Sequence, residues 1–195
     1  IQNDEGLMFF GTSSGITVYD GVNWRQIKTS QGLGSFNVRS MAKTPDGRIW
    51  FGTIGNIGYL ETDSLGKYKT VSLAHLIPKE HKDFNDIWSI HYSGDHIYFQ
   101  ARETIFRLDS KEGKNGRSIK VWKPETEFMY AFFQNGIYYA HQVDKGLFKL
   151  IDDEFRLIAG SEFTGKSRMQ VMLPYPGEET NKDKFMGSNF EGGFF

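Results

Sequence analysis

One pattern recurs along this chain, and an internal repeat restricts the possible folds more than any single motif does. An aromatic run is followed by a small-residue break and then by a second short apolar run. It reads Leu7-Met8-Phe9-Phe10-Gly11-Thr12, then Gly15-Ile16-Thr17-Val18-Tyr19-Asp20. It returns as Arg48-Ile49-Trp50-Phe51-Gly52-Thr53, then Asn56-Ile57-Gly58-Tyr59-Leu60-Glu61. A third copy is His96-Ile97-Tyr98-Phe99-Gln100-Ala101, then Thr104-Ile105-Phe106-Arg107-Leu108-Asp109. A fourth is Gly136-Ile137-Tyr138-Tyr139-Ala140, then Gly146-Leu147-Phe148-Lys149-Leu150. A fifth starts at Lys184-Phe185-Met186-Gly187 and runs to Gly193-Phe194-Phe195. Phe10, Phe51, Phe99, Tyr139 and Met186 take equivalent places, at successive gaps of about 41, 48, 40 and 47 residues. That period is the length of a four-stranded β-propeller blade.

Each copy resolves into four strands. An apolar run precedes the shared motif: Val38 to Lys43, Ile87 to Tyr92, Met129 to Phe133 and Met169 to Leu173. These are expected to be the innermost strands. Tight turns follow at Pro45-Asp46-Gly47, Ser93-Gly94-Asp95 and Gln134-Asn135-Gly136. Pro presets one turn dihedral, and Gly or Asn tolerates positive φ, so each reads as a hairpin. The aromatic run is the second strand and the short run after the break is the third. Polar outer strands are expected at Trp24 to Lys28, Tyr68 to Leu73, Ser118 to Trp122 and Phe155 to Ala159. Asp20-Gly21 and Asp152-Asp153 would turn the chain into two of them. No stretch keeps a 3.6-residue apolar period. The best helical candidate, Leu73 to Asp83, contains Pro78 and is held to a turn or two.

The reading is therefore all-β: one partial propeller over residues 1–195. Blade 1 covers about 1–30, blade 2 about 36–73, blade 3 about 86–123, blade 4 about 127–160, and a fifth starts at about 168–195. About four blades of a ring of about seven are expected. Blade 1 would start at its second strand. The edges near Leu7 to Thr12 and Phe185 to Phe195 would be exposed or paired with another molecule, which makes self-association a candidate property.

Composition narrows the function. The 195 residues carry 23 basic and 24 acidic side chains. A duplex binder needs a basic stripe, so no nucleic-acid partner is expected for this region. Aromatic residues reach 15%, which suits pleated, half-buried surfaces. The absence of cysteine removes disulfides, thiolate zinc sites and a cysteine nucleophile together. Neither a signal peptide nor an apolar run long enough to cross a bilayer is present. The chain reads as a mature or excised piece.

The string Pro45 to Thr53 resembles the repeat of two-component regulator propellers, as does Leu7 to Trp24 with its Phe-Gly-Thr and Tyr19-Asp20-Gly21. Gly58 to Gly66, followed by Phe84 to Ile90, is similar to the subgroup whose propeller precedes a triple-tyrosine β-sandwich. Copies three and four depart from the pattern, with Gln100-Ala101 and Ala140-His141 in place of Gly-Thr. The resemblance implies a periplasmic or extracytoplasmic sensor in a membrane-anchored bacterial protein. It further implies β-sandwich and signalling domains downstream, with a histidine kinase or DNA-binding output. Ile49-Trp50-Phe51 followed by Ile57-Gly58 also resembles repeats of streptogramin-type lyases, so a propeller enzyme is an alternative, as is a protein-interaction platform.

Few residues suggest catalysis. His75, His81, His91, His96 and His141 follow no metal-ligand spacing, so neither a metal nor any other cofactor is expected. Gly11 to Gly15 lacks the Lys and the following helix of a phosphate loop. Trp50 belongs to the repeat and is expected in the core, while Trp24 and Trp122 would cover blade edges. The reading is non-catalytic binding of a small molecule or glycan.

Fold analogy directs attention to the face where the innermost strands start. It selects Asn37, Arg39, Asp86, Trp88, Tyr130 and Arg168. It also selects Asn56, Arg102, Glu103, His141 and Asn189, placed in the loops between second and third strands. Arg39 and Trp88 lead: a guanidinium fork suits a carboxylate, a sulfate or a sugar hydroxyl pair, and an indole is a platform for a ring. The competing role is internal, with Arg39 paired to Asp86 and Trp88 packed between sheets.

Overall fold

A computed structural model describes residues 1–27, 35, 37–111, 113, 116–176, 184–189 and 193. Lys28, Phe190, Phe194 and Phe195, assigned above to strands or to the fifth copy, lie outside the described residues. The chain divides into two compact units, Ile1–Trp122 and Lys123–Phe195.

The first unit holds three antiparallel sheets. The first has β1 (Met8–Thr12), β2 (Gly15–Tyr19) and β3 (Trp24–Ile27) in that spatial order. The second has β4 (Ser40–Lys43), β5 (Ile49–Thr53), β6 (Asn56–Thr62) and β7 (Tyr68–Ser72), and the third has β8 (Ser89–Ser93), β9 (His96–Gln100), β10 (Ile105–Asp109) and β11 (Ile119–Trp122). In the second unit β12 (Phe128–Gln134), β13 (Ile137–Gln142), β14 (Gly146–Ile151) and β15 (Glu154–Leu157) form a four-stranded sheet. There β16 (Met169–Pro174) pairs with β17 (Phe185–Asn189). Consecutive antiparallel strands, four to a sheet in the complete cases, are β-propeller blades.

Alternation along each strand fills both faces of the second sheet. Phe51, Ile49 and Leu60 pack against Phe9, Ile16 and Val18 of the first sheet. Trp50 and Ile57 point the other way, into a cluster with Ile87, Ile97, Phe99 and Leu108. Each such side chain contributes about 1.5–3 kcal/mol through removal from water. The indole of Trp50 satisfies its one donor by giving Nε1–H to Thr44 Oγ1 at 3.2 Å.

The small-residue break has a packing cause. A Cβ at Gly52 would stand 2.4 Å from Ile87 Cβ, and one at Gly11 would stand 2.6 Å from the Val38 carbonyl oxygen. The segment leading into each next blade lies directly on the glycine of the preceding one. Gln100 takes that place in the third sheet. Its fully buried carboxamide accepts from Ser89 Oγ at 3.1 Å and donates to the Ala101 carbonyl at 3.0 Å.

Hairpin chemistry follows the sequence at Asn135 and Gly136, with φ of 51° and 79°. Asp152 and Asp153 adopt the same left-handed pair, at 50° and 64°. Leu73 to Asp83 contains two short 3-10 turns, Ala74–Leu76 and Lys79–His81, on either side of Pro78.

Three expectations are corrected. The innermost strands of the second and third blades pair from Ser40 and Ser89, because Val38 and Ile87 are spent on packing over Gly11 and Gly52. Blade 1 does not start bare at its second strand. The Phe9 N–H donates to the Ile1 carbonyl at 2.7 Å and the Ile1 amino group donates back at 3.0 Å, so residues 1 and 2 line the edge of β1 away from β2. Three residues placed in loops are on strands: Asn56 opens β6, Asn189 closes β17, and His141 is in β13, fully buried.

Candidate functional site

Four of the six leading residues meet in the first unit. Asp86 accepts Nδ2–H of Asn37 at 2.6 Å through one carboxylate oxygen and Nε–H of Arg39 at 2.7 Å through the other. The Arg39 guanidinium carbon lies 4.5 Å from the centroid of the Trp88 ring. Arg102 brings a second guanidinium to the same ring, at 4.9 Å. Beside them Glu103 accepts the Asn85 side-chain N–H at 2.6 Å.

Local structure explains the convergence. Asn37 and Arg39 flank buried Val38, so alternation turns both away from the core while Val38 seats on Gly11. Asp86 and Trp88 flank buried Ile87 in the same way, over Gly52. Two successive copies of one device thus place a polar pair and an Arg–Trp pair side by side. The Arg39 side chain keeps 45% of its exposure and that of Asp86 only 16%. Asp86 engages Nε, the inner nitrogen of the fork. A cation over an indole contributes about 0.5–1 kcal/mol when exposed, and more when desolvated.

The remaining selected residues divide. Tyr130 packs against Phe132, Tyr139, Leu147, Met169 and Met172 in the second unit, and Arg168 is exposed ahead of β16. Asn56 is buried and accepts the Ser72 hydroxyl at 2.6 Å. Asn189 accepts the Gly193 N–H at 2.8 Å. His141 Nε2 meets the Thr164 carbonyl at 2.8 Å, while burial pushes its pKa below the ordinary histidine value. Of the histidines in the first unit, His75 and His81 sit in the 3-10 turns and His91 and His96 on the β8–β9 hairpin. Sequence reasoning did not point to a groove of about 340 Å³ lined by Val18, Arg25, Gln26, Ile27, Lys67 and Tyr68. It lies between outer strands, away from the strand starts that guided the selection.

Arg39, the strand and hairpin after it and the Phe-Gly-Thr break compose one sequence unit, and that unit has a match among known families. Residues 32–55 match the family model of the two component regulator propeller. The repeat includes Asn37, Arg39 and the glycine on which Ile87 rests. Over the whole chain, the extracellular domains of two hybrid two component systems of B. thetaiotaomicron superpose with TM-scores of 0.71 and 0.65 at 16% identity. All of this chain is covered, and it spans 26% of each of those chains. Virginiamycin B lyase from Staphylococcus aureus superposes at 0.61 with 11% identity, covering all of this chain and 67% of the lyase. At these identities the likeness is one of fold, and it is the β-propeller fold in each case. No curated protein sequence matches the chain significantly. Among the described residues no helix is long and apolar enough to cross a membrane.

Proposed function

We propose that this chain is part of an extracytoplasmic ligand-sensing propeller of a bacterial signalling protein. It binds a small molecule or glycan without catalysis and passes the event to neighbouring domains of a membrane-anchored polypeptide. The observation that carries the reading is the half-exposed Arg39 fork over the Trp88 ring, braced by Asp86, within and next to the regulator propeller repeat. Trp88 seats the guanidiniums of Arg39 and Arg102 over its ring. Arg39 offers directional donors to a carboxylate, a sulfate or a hydroxyl pair.

The test is a ligand screen by thermal shift with mono- and oligosaccharides and small organic acids. It is followed by calorimetry of the best hit on wild type, Arg39→Ala and Trp88→Ala. Each variant should weaken binding at least about tenfold, the scale of one lost charged or stacking contact. Variants that bind normally but melt lower would show that the residues are structural.

A further inference from the structure

The groove of about 340 Å³ between the outer strands of the first and second sheets is open for a reason the repeat makes visible. Phe9 pairs with Val18 and Val18 with Arg25, as Trp50 pairs with Tyr59 and Tyr59 with Val71 one sheet later. Val18 therefore stands where the second sheet has a tyrosine. Between the second and third sheets that tyrosine is spent inside the protein. Its ring lies 5.3 Å from that of Trp50, and the Arg117 guanidinium carbon lies 5.6 Å from it. Arg117 is tied down in turn, giving Nη1–H to the carbonyls of Asp109 and Ser110. Between the first and second sheets the smaller valine leaves a hollow, of a size that suits a small molecule.

The walls of the hollow are apolar and fixed. Val18 and Ile27 are buried in the first sheet, on the face that carries Arg25. From the second sheet Tyr68 contributes its ring, held edge-on against Phe9 at 5.0 Å, and its hydroxyl accepts Nδ2–H of Asn3 at 3.0 Å. Burial, then the Glu5 carboxylate, push the Tyr68 pKa above its ordinary value, so the ring stays neutral. Two exposed cations, Arg25 and Lys67, line the same groove. The aspartates nearest to them in the chain are engaged in turns. Asp20 Oδ1 accepts the N–H groups of Val22 and Asn23, and Asp63 Oδ1 accepts those of Leu65 and Lys67. Arg25 Nη2 reaches Asp20 Oδ2 only at 3.5 Å, an exposed pairing that a ligand can replace at little cost.

We infer that this groove binds a small aryl carboxylate, with its ring between Val18, Ile27 and Tyr68 and its carboxylate at Arg25 and Lys67. The ring meets an aromatic edge or face and two aliphatic side chains. A planar guanidinium matches the carboxylate, and the ammonium adds a second charge. This site is separate from the one at Arg39 and Trp88 and does not depend on it.

The test is an NMR titration of the ¹⁵N-labelled 195-residue chain with 3-phenylpropionate. Two controls each remove one half of the ligand: 3-phenylpropionamide lacks the charge and propionate lacks the ring. 3-Phenylpropionate should shift the amides of Val18, Ile27 and Tyr68 and saturate by about 10 mM. Both controls should bind at least about tenfold more weakly. Arg25→Ala and Lys67→Ala should each weaken binding about fivefold, and the exposed Lys111→Ala should bind as wild type. Val18→Tyr places in the hollow the ring that the second sheet has there and should abolish binding with both cations kept; the two surface variants decide the matter where it fails to fold. Absence of saturable shifts overturns the inference, as does equal binding of the amide. Wild-type binding by both Arg25→Ala and Lys67→Ala overturns it, and so does an equal loss in Lys111→Ala. Shifts confined to the surroundings of Arg39 and Trp88 overturn it too, and would leave the sensing site proposed above standing.

Discussion

Gly52→Ala tests how blade is fastened to blade. The new methyl carbon would stand 2.4, 2.6 and 2.7 Å from Cβ, Cγ1 and Cγ2 of Ile87. Carbon atoms settle at about 3.5–4.0 Å, so a gap of about 1 Å must open. No rotamer of Ile87 provides it, because the nearest atom is its Cβ, which only the backbone can move. Ile87 is fully buried and has no open space to retreat into. Gly52 does not have the positive φ that would by itself call for glycine, so the cost is steric. Overpacking of this kind costs about 1–3 kcal/mol, and replacing a glycine returns about 0.4–1 through the unfolded chain. The expected net loss is about 1–2 kcal/mol, or about 2–8 °C in the melting temperature of a chain this long. Ile87→Ala alone should cost about 2–5 kcal/mol. Ile87→Ala removes Cγ1 and Cγ2 but keeps the Cβ 2.4 Å away, so the two changes together should cost close to their sum. Thermal and urea unfolding followed by circular dichroism measure all four proteins. A wild-type melting temperature for Gly52→Ala would falsify the close approach of Ile87 to this glycine.

Other outcomes follow from single contacts. His141 is held neutral by burial, so between its lowered folded pKa and the unfolded value near 6.5 the unfolded chain binds more protons. Stability should therefore be full above that value and decline as pH falls below it, by at most about 1.4 kcal/mol per pH unit. Urea midpoints from pH 8 to 5 should show this decline in wild type and less of it in His141→Gln; parallel pH profiles would contradict it. Trp50→Phe removes the indole donor to Thr44, whose hydroxyl keeps Asp46 and the Arg48 carbonyl, and should cost about 1 kcal/mol plus the volume lost, read from the urea midpoint. Replacing Asp152-Asp153 by Asn-Gly relieves two aspartates in the left-handed region and should raise the melting temperature by a few degrees; no rise would mean that the turn is not strained. Asp86→Ala leaves Asn37 and Arg39 without their shared acceptor, and ligand screens should find the Arg39 dependence of binding weakened or lost.

The repeat made most of the fold legible, since local alternation and turn chemistry agree with the long-range packing. Trp50 already read as a core residue, and Pro45-Asp46-Gly47 as a hairpin. Less legible were the strand starts. Val38 and Ile87 have the residue type of strand members, but they precede the paired strands β4 and β8 and lie on glycines about 27 and 35 residues earlier, a distance over which sequence periodicity carries no sign. The site was legible as far as one polar residue on each side of a buried one, Asn37 and Arg39, then Asp86 and Trp88. Whether such pairs face each other depends on how adjacent blades register, which no single strand encodes. His141 misled because its position aligns with Thr53, and only the contact with the Thr164 carbonyl shows how an imidazole fits there.

The insertion before the third blade has a consequence for that site. Leu73, Ile77 and Phe84 are buried in the same cluster as Ile87, and the Phe84 ring meets Phe106 edge-on at 4.9 Å. The Phe84 carbonyl accepts the Gly55 N–H at 3.2 Å. Asn85 and Asp86 therefore leave a residue anchored from below and run straight into another, Ile87, wedged against Gly52. A carboxylate fixed at both flanks cannot swing to follow what it binds. A guest at Arg39 and Trp88 meets a die already cast, so occupancy should release little heat of rearrangement and quench little motion in this segment. Any mechanical message would leave by tilting the second and third sheets as solid plates rather than by reshaping the strand between them.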